Sequence, residues 1–211
     1  MGVLERRERE RSELREKILD AARELFISEG YEGVSMRKVA QKIEYSPTAI
    51  YAYFADKEDL FHQLCHEDFA RLAEVFQNLT KIASPLERLK QIGRTYAEFG
   101  RRYPNHYKLM FMTPHPPQTL DQSDREIKGN PERDAYAFLK RTIAEAMAGG
   151  YLLPELEDAE LISQTLWAAV HGAISLDIAK CNDQWVEWRP FELRIETILE
   201  AMLGAIRRGT I

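Results

Sequence analysis

Apolar side chains recur along this chain at intervals of three and four residues and nowhere alternate with polar ones over a strand's length, which predicts helices throughout. The first regular stripe is Leu14, Ile18, Ala22, Leu25 and Phe26, with Ala21 beside it, and Gly30 ends it. A short second helix follows Ser35, an N-cap residue, with Met36, Val39, Ala40 and Ile43 on one face. Ser46-Pro47 starts a third, because serine caps and proline suits the first helical position; Ile50 and Phe54 point inward. Asp56 caps a long fourth helix carrying Leu60, Phe61, Leu64, Cys65, Leu72, Phe76 and Leu79.

Ser84-Pro85 opens a fifth helix with Leu89, Ile92, Tyr96 and Phe99, and Pro104 opens a sixth that runs through Met112. Residues 113–130, with Pro114, Pro116, Pro117 and Gly129, read as a flexible loop. Pro131 starts a seventh helix containing Ala135, Phe138, Leu139, Thr142, Ile143 and Ala146, ended by Gly149-Gly150. An eighth, from about Leu156 to Ala179, is apolar nearly all round from Leu161 to Leu176 and needs cover on every side. The ninth runs from Pro190 to about Arg207 with Phe191, Ile195, Ile198, Leu199, Met202 and Ile206. The expected fold is all-α, about nine helices, with a three-helix domain over residues 1–56 and a larger helical domain over residues 57–211.

Three short helices before a long one are the outline of a helix-turn-helix domain. The helix after Ser46 leaves Thr48, Ala49, Tyr51 and Tyr53 outward, and tyrosine hydroxyls suit phosphate oxygens. Around them stand Arg37, Lys38, Lys42 and Lys57, so residues 35–57 hold four basic side chains against Glu44 and Asp56. That local excess sits inside a chain of 211 residues with a formal net charge of -5, which excludes a generally basic nucleic-acid binder and leaves only a local patch. Residues 5–17 are almost all charge; they read as a frayed, solvated extension or as an arm reaching the minor groove.

The stretch from Val34 to Ile43, then Ser46-Pro-Thr-Ala-Ile-Tyr-Ala-Tyr-Phe-Ala-Asp-Lys57 through Leu60, closely resembles the DNA-binding domain of the TetR/AcrR family. So does Ile18-Leu-Asp-Ala-Ala-Arg-Glu-Leu-Phe26 followed by Gly30-Tyr31; the resemblance covers about residues 14–61. It implies that Ser46 and Pro47, at the start of the recognition helix, belong to the DNA-binding set and that Arg37 approaches the backbone and major groove. It further implies that Thr48 and Ala49 face bases and that Tyr51, Tyr53 and Lys57 hold phosphates. One departure stands out: the family usually has glycine at the turn, where this chain has Glu44. A left-handed backbone there would cost a non-glycine residue roughly 1–2 kcal/mol.

Tyr103-Pro104, Tyr107 through Phe111, and Trp167-Ala-Ala-Val-His171-Gly172 resemble the subgroup whose regulatory domain is named for a Trp-His-Gly pattern. That resemblance implies an apolar effector chamber, for which Phe76, Phe99, Tyr103, Phe111, Phe138, Trp167 and His171 are the expected lining. It also implies a homodimer through the last two helices, with Ala169, Gly172, Ala173, Ile198, Met202 and Ile206 in the seam. His171 reads equally as a satisfied interior histidine, and much of the aromatic set as ordinary core.

No Ser/His/Asp set or glycine-rich phosphate loop points to an enzyme, and no cofactor is implied. His62 and His66 are four residues apart near Cys65 and Glu67, a spacing open to metal, but exposed histidines on a charged helix face are common and no metal site is expected. Cys65 and Cys181 read as buried thiols of a reducing cytoplasm. No signal peptide or membrane span is expected. The reading is therefore a cytoplasmic regulator, most simply a repressor, with a double-stranded operator and a lipophilic or aromatic small molecule as partners. Activation in place of repression, or a helical scaffold that binds only protein, are the alternatives.

Overall fold

A computed structural model describes residues 2–115, 122–181 and 183–209. It contains α1 (Val3–Gly33), α2 (Met36–Lys42), α3 (Pro47–Tyr51), α4 (Lys57–Gln77), α5 (Pro85–Arg102), α6 (Pro104–Met112), α7 (Gln122–Ile127), α8 (Ala135–Ala148), α9 (Ala159–Lys180) and α10 (Phe191–Ile206). Among the described residues there is no strand, only an isolated bridge between Leu152 and Arg207. The chain forms two compact units, Met1–Asp68 with Asn105–Thr119, and Phe69–Pro104 with Leu120–Ile211. The packing boundary thus falls inside α4 and not at residue 56, because Leu60, Phe61 and Leu64 are needed to close the first core.

In the first unit, Ile18, Ala22 and Phe26 of α1 meet Val39 and Ala40 of α2, Ile50 and Phe54 at α3, Phe61 of α4 and Leu109 of α6. Phe26 meets Phe61 edge-on at 4.9 Å. Each large apolar side chain among these stabilises the unit by about 1.5–3 kcal/mol, and each alanine by less. Ser35 accepts from the Lys38 amide at 3.3 Å, Ser46 from the Ala49 amide at 3.3 Å, and Asp56 from the Asp59 amide at 2.9 Å, so the expected starts of three helices are capped as their side chains allow. Gly30 breaks α1 with φ 72° and ψ 170°, a conformation that disfavours any side chain. The N-terminal segment is helical from Val3, so regular structure starts eleven residues before Leu14, and residues 5–13 are a solvent-exposed helical extension. Two ion pairs along it, Arg6–Glu10 at 3.2 Å and Arg9–Glu13 at 3.5 Å, support that helix.

The second unit is built on α5, whose Leu89, Ile92, Tyr96 and Phe99 are buried among α8, α9 and α10. Gly93 lets α10 come close: a Cβ there would lie 2.3 Å from Cδ2 of Leu199. Arg94 holds Glu196 of α10 through two hydrogen bonds of 2.6 Å. Three boundaries differ from the sequence expectation. α4 ends at Gln77 and passes into a 3-10 turn over Asn78–Lys81. The helix expected from Pro131 begins only at Ala135, because Asp134 is the true cap, accepting from the amides of Tyr136 (2.9 Å) and Ala137 (3.1 Å). Asp158 caps α9 in the same way, three residues later than expected. Inside the segment expected as a loop lies α7, a tenth helix; residues 116–121 of that loop lie outside the described residues.

Candidate nucleic-acid interface and effector region

α2 and α3 are joined by a tight turn at Glu44, the only non-glycine residue with positive φ (62°) among those described. The Tyr45 amide donates to the Ala40 carbonyl at 2.9 Å and the Glu44 amide to the Gln41 carbonyl at 3.2 Å. This is the paired C-cap in which the residue after the helix must be left-handed, which explains why glycine suits this place and why Glu44 is strained there. The turn then presents α3 by its outer side. Ser46, Pro47 and Thr48 are exposed, Ala49 is half-buried and Tyr51 is 54% exposed, while Ile50 and Phe54 lock the helix into the core. Tyr53 is half-buried against Phe54.

The basic residues around this face are differently placed. Lys38 pairs with Glu29 at 2.5 Å and Lys42 with Glu24 at 2.9 Å, so both charges are largely offset. Lys57 donates to the Tyr31 carbonyl at 3.1 Å, lies 4.2 Å above the Tyr31 ring and faces Glu32 at 3.6 Å. The Arg37 side chain is exposed and makes no hydrogen bond or ion pair among the described residues. Two basic residues absent from the sequence-derived set lie close by: Arg11 over the Tyr53 ring at 5.8 Å, and Arg15 over the Phe54 ring at 5.6 Å.

Arg23 and Asp68, both almost fully buried, form an ion pair at 3.0 Å, and His106 Nδ1 lies 2.7 Å from the same carboxylate. Periodicity alone does not reveal such a group, since charged residues are expected outside. Of the two cysteines, Cys65 is buried as expected, but Cys181 is exposed, because it lies just past the end of α9. His62 and His66 stand with ring centroids 6.3 Å apart.

In the second unit the expected chamber residues fall into separate groups. Phe76 and Phe138 are buried with ring centroids 6.0 Å apart, and Phe99 lies 5.4 Å from Tyr103. Trp167 donates its indole N–H to the Tyr96 hydroxyl at 2.9 Å. That hydroxyl is 3.3 Å from His171 Nδ1, and Ser175 Oγ is 3.1 Å from His171 Nε2. Both ring nitrogens of His171 therefore have partners inside the chain, and burial holds its pKa below the usual histidine range. Phe111 belongs to the first unit, beside Tyr107 at 4.9 Å. A groove of about 560 Å³ lies between α5 and α10, over Ala97, Phe191 and Ile195; none of the seven expected residues lines it.

The last two helices leave apolar surface outside. Leu161 (61%), Leu176 (50%) and Leu193 (56%) are exposed, residues that the sequence reading did not select. Ala169, Gly172, Ile198, Met202 and Ile206 are half-buried, whereas Ala173 is buried within its own chain and faces the unit's core. A Cβ at Gly172 would meet nothing within 4 Å.

A capped helix pair with an exposed second helix, followed by a larger helical unit, defines the class of helix-turn-helix regulators. Residues 18–64 match the family model described as "Bacterial regulatory proteins, tetR family", and residues 89–203, more than half of the chain, match "Tetracyclin repressor-like, C-terminal domain". The chain belongs to the TetR family of bacterial transcriptional regulators, and not to an enzyme family. The second description does not name the Trp-His-Gly subgroup, which stays a resemblance. The chain is 46% identical over 61 residues to the HTH-type transcriptional repressor AcnR of Corynebacterium diphtheriae, covering 29% of this chain and 32% of the relative. It is 29% identical over 92 residues to the HTH-type transcriptional regulator UidR of Escherichia coli, covering 42% and 46%. The matched stretch thus spans about a third to a half of these relatives' length. Among solved structures, a TetR family transcription regulator from Marinobacter aquaeolei superposes with a TM-score of 0.75 at 16% identity, covering 96% of this chain and 100% of that one. The fatty acid degradation regulator FadR from Bacillus halodurans superposes with a TM-score of 0.71 at 18% identity, covering 90% and 94%. No helix among the described residues is long and apolar enough to cross a membrane.

Proposed function

We propose that this protein is a homodimeric, cytoplasmic transcriptional repressor whose DNA-binding domain holds a near-palindromic operator and whose C-terminal domain releases it on binding a small lipophilic or aromatic effector. The observation that carries the DNA half is α3: five residues anchored by Ile50 and Phe54, with Ser46, Pro47, Thr48 and Tyr51 left to solvent. A scaffold that binds only protein has no use for that arrangement. Thr48 and Ala49 read base edges, while Arg37, Tyr51, Tyr53 and Lys57 hold the backbone. For the effector half, Phe76, Phe99 and Phe138 supply apolar surface and the Trp167–Tyr96–His171 chain supplies one oriented polar point.

The test is a mobility shift with the duplex upstream of the protein's own gene. Wild type should retard it. Tyr51→Phe should weaken binding to all sequences by a similar factor, and Thr48→Ala should alter preference at one or two base positions. Lipophilic compounds are then screened for release; Trp167→Ala should abolish release and keep binding. Absence of any shift at micromolar protein overturns the repressor reading; a shift that no compound reverses overturns the effector half.

A further inference from the structure

The core-facing stripe of α1 does not end where the core ends. At 3.6 residues per turn, Arg11 and Arg7 point within about 20° of the direction of buried Ile18, seven and eleven residues further on. Arg6 and Arg9 lie well round the helix, paired with Glu10 and Glu13. Arg7 and Arg11 are exposed and have no ion pair among the described residues. Arg11 sits over Tyr53, which directly follows the outward face of α3. One stripe thus passes from apolar, where it packs, to basic and unpaired, where it leaves the core beside that face.

We propose that the helical extension Glu5–Glu13 is a second DNA-backbone contact, in which Arg11, next to Tyr53, and Arg7, about 6 Å further along the axis, hold successive phosphates flanking the recognition helix. The extension acts as a rigid helix and not as an unstructured minor-groove arm. Its ion-paired side keeps the helix wound while the other side carries the free guanidinium groups. This inference rests on the DNA-binding reading above. Each phosphate contact contributes about 0.9 to the slope of log affinity against log salt, so two contacts have a defined signature.

The probe is a duplex of mixed sequence, about 40 base pairs, since counterion release needs no operator. Affinity is measured by fluorescence anisotropy between about 50 and 200 mM salt. Arg7→Ala/Arg11→Ala should weaken binding about tenfold and flatten the slope by about two. Arg6→Ala/Arg9→Ala removes the same charge from the other side and should leave the slope within error of wild type. Arg7→Lys/Arg11→Lys should restore most of the slope, and circular dichroism should show the helix intact, alanine being the best helix former. Equal slopes for wild type and Arg7→Ala/Arg11→Ala, or equal losses in the two alanine pairs, overturn the inference while DNA binding stands. No binding by wild type removes both.

Discussion

Glu44 has an exposed side chain and a backbone that its Cβ opposes, with φ 62°. Glu44→Gly removes the clash and adds unfolded-chain entropy, two effects of similar size. The expected change in urea unfolding is between zero and a gain of about 1 kcal/mol. A loss larger than that would show a contact by the carboxylate that the folded chain does not display. Asp68 is the reverse case, a charge almost fully buried that is matched by Arg23 and His106. Asp68→Ala leaves the buried Arg23 guanidinium with only the exposed Asp20 carboxylate, 2.7 Å from its Nη1, and should cost about 3 kcal/mol in the same measurement, the low end of the range for breaking a buried pair. Cys65 is pushed up to about 12 from 9.0, first by burial and then by the nearby Asp68 carboxylate. Its thiol is raised in the native state, so the stabilisation it carries is whole below 9.0 and is lost as pH rises toward 12. At pH 8 a chromogenic disulfide reagent should label Cys181 alone, and Cys65 only after denaturant is added.

The elements most legible in the sequence are those that announce themselves locally. Ser35, Ser46 and Ser84 each begin a helix because a hydroxyl two or three residues ahead of a free amide needs no tertiary partner. Proline is a weaker guide: Pro131 fits a first helical turn, yet Asp134 offers a carboxylate to two amides and sets the start of α8. The α7 helix has six residues and no buried one, so no stripe marks it. Of the candidate site, α3 was legible because two inward residues leave the rest outward, whereas Arg11 beside Tyr53 joins positions 42 apart and leaves no local trace. The contact of α5 with α10 is of the same non-local kind. Gly93→Ala would set a methyl group 2.3 Å from Leu199 Cδ2, and since Leu199 is itself buried, the expected cost is about 1–3 kcal/mol. Leu199→Ala in that background should lose less than the two single losses added together, because the overlap and the cavity relieve each other.

At the scale of the molecule, α9 and α10 leave Leu161, Leu176 and Leu193 uncovered in a single chain. Burial of what is still exposed of each, about half a side chain, would contribute roughly 1–2 kcal/mol, and a stable interface needs about 1,200–2,000 Å² of covered surface, which two helices and their symmetry mates can supply. Gly172, whose Cβ position is open, lets another backbone approach closely. A two-fold pair also meets the demand of a near-palindrome, which needs reading heads about 34–36 Å apart. Leu193→Glu puts a charge on a helix position that is 56% exposed in the single chain, so the protomer should keep its helical circular dichroism. Sedimentation equilibrium at about 10 μM should then give dimer for wild type and monomer for the variant, with only the wild-type melting temperature rising with concentration. The monomer should keep weak, salt-sensitive affinity for any duplex and lose tight operator binding, because each α3 reads only half a site. A wild type that is monomeric at this concentration would place the exposed leucines in some other contact and leave operator recognition to a single head.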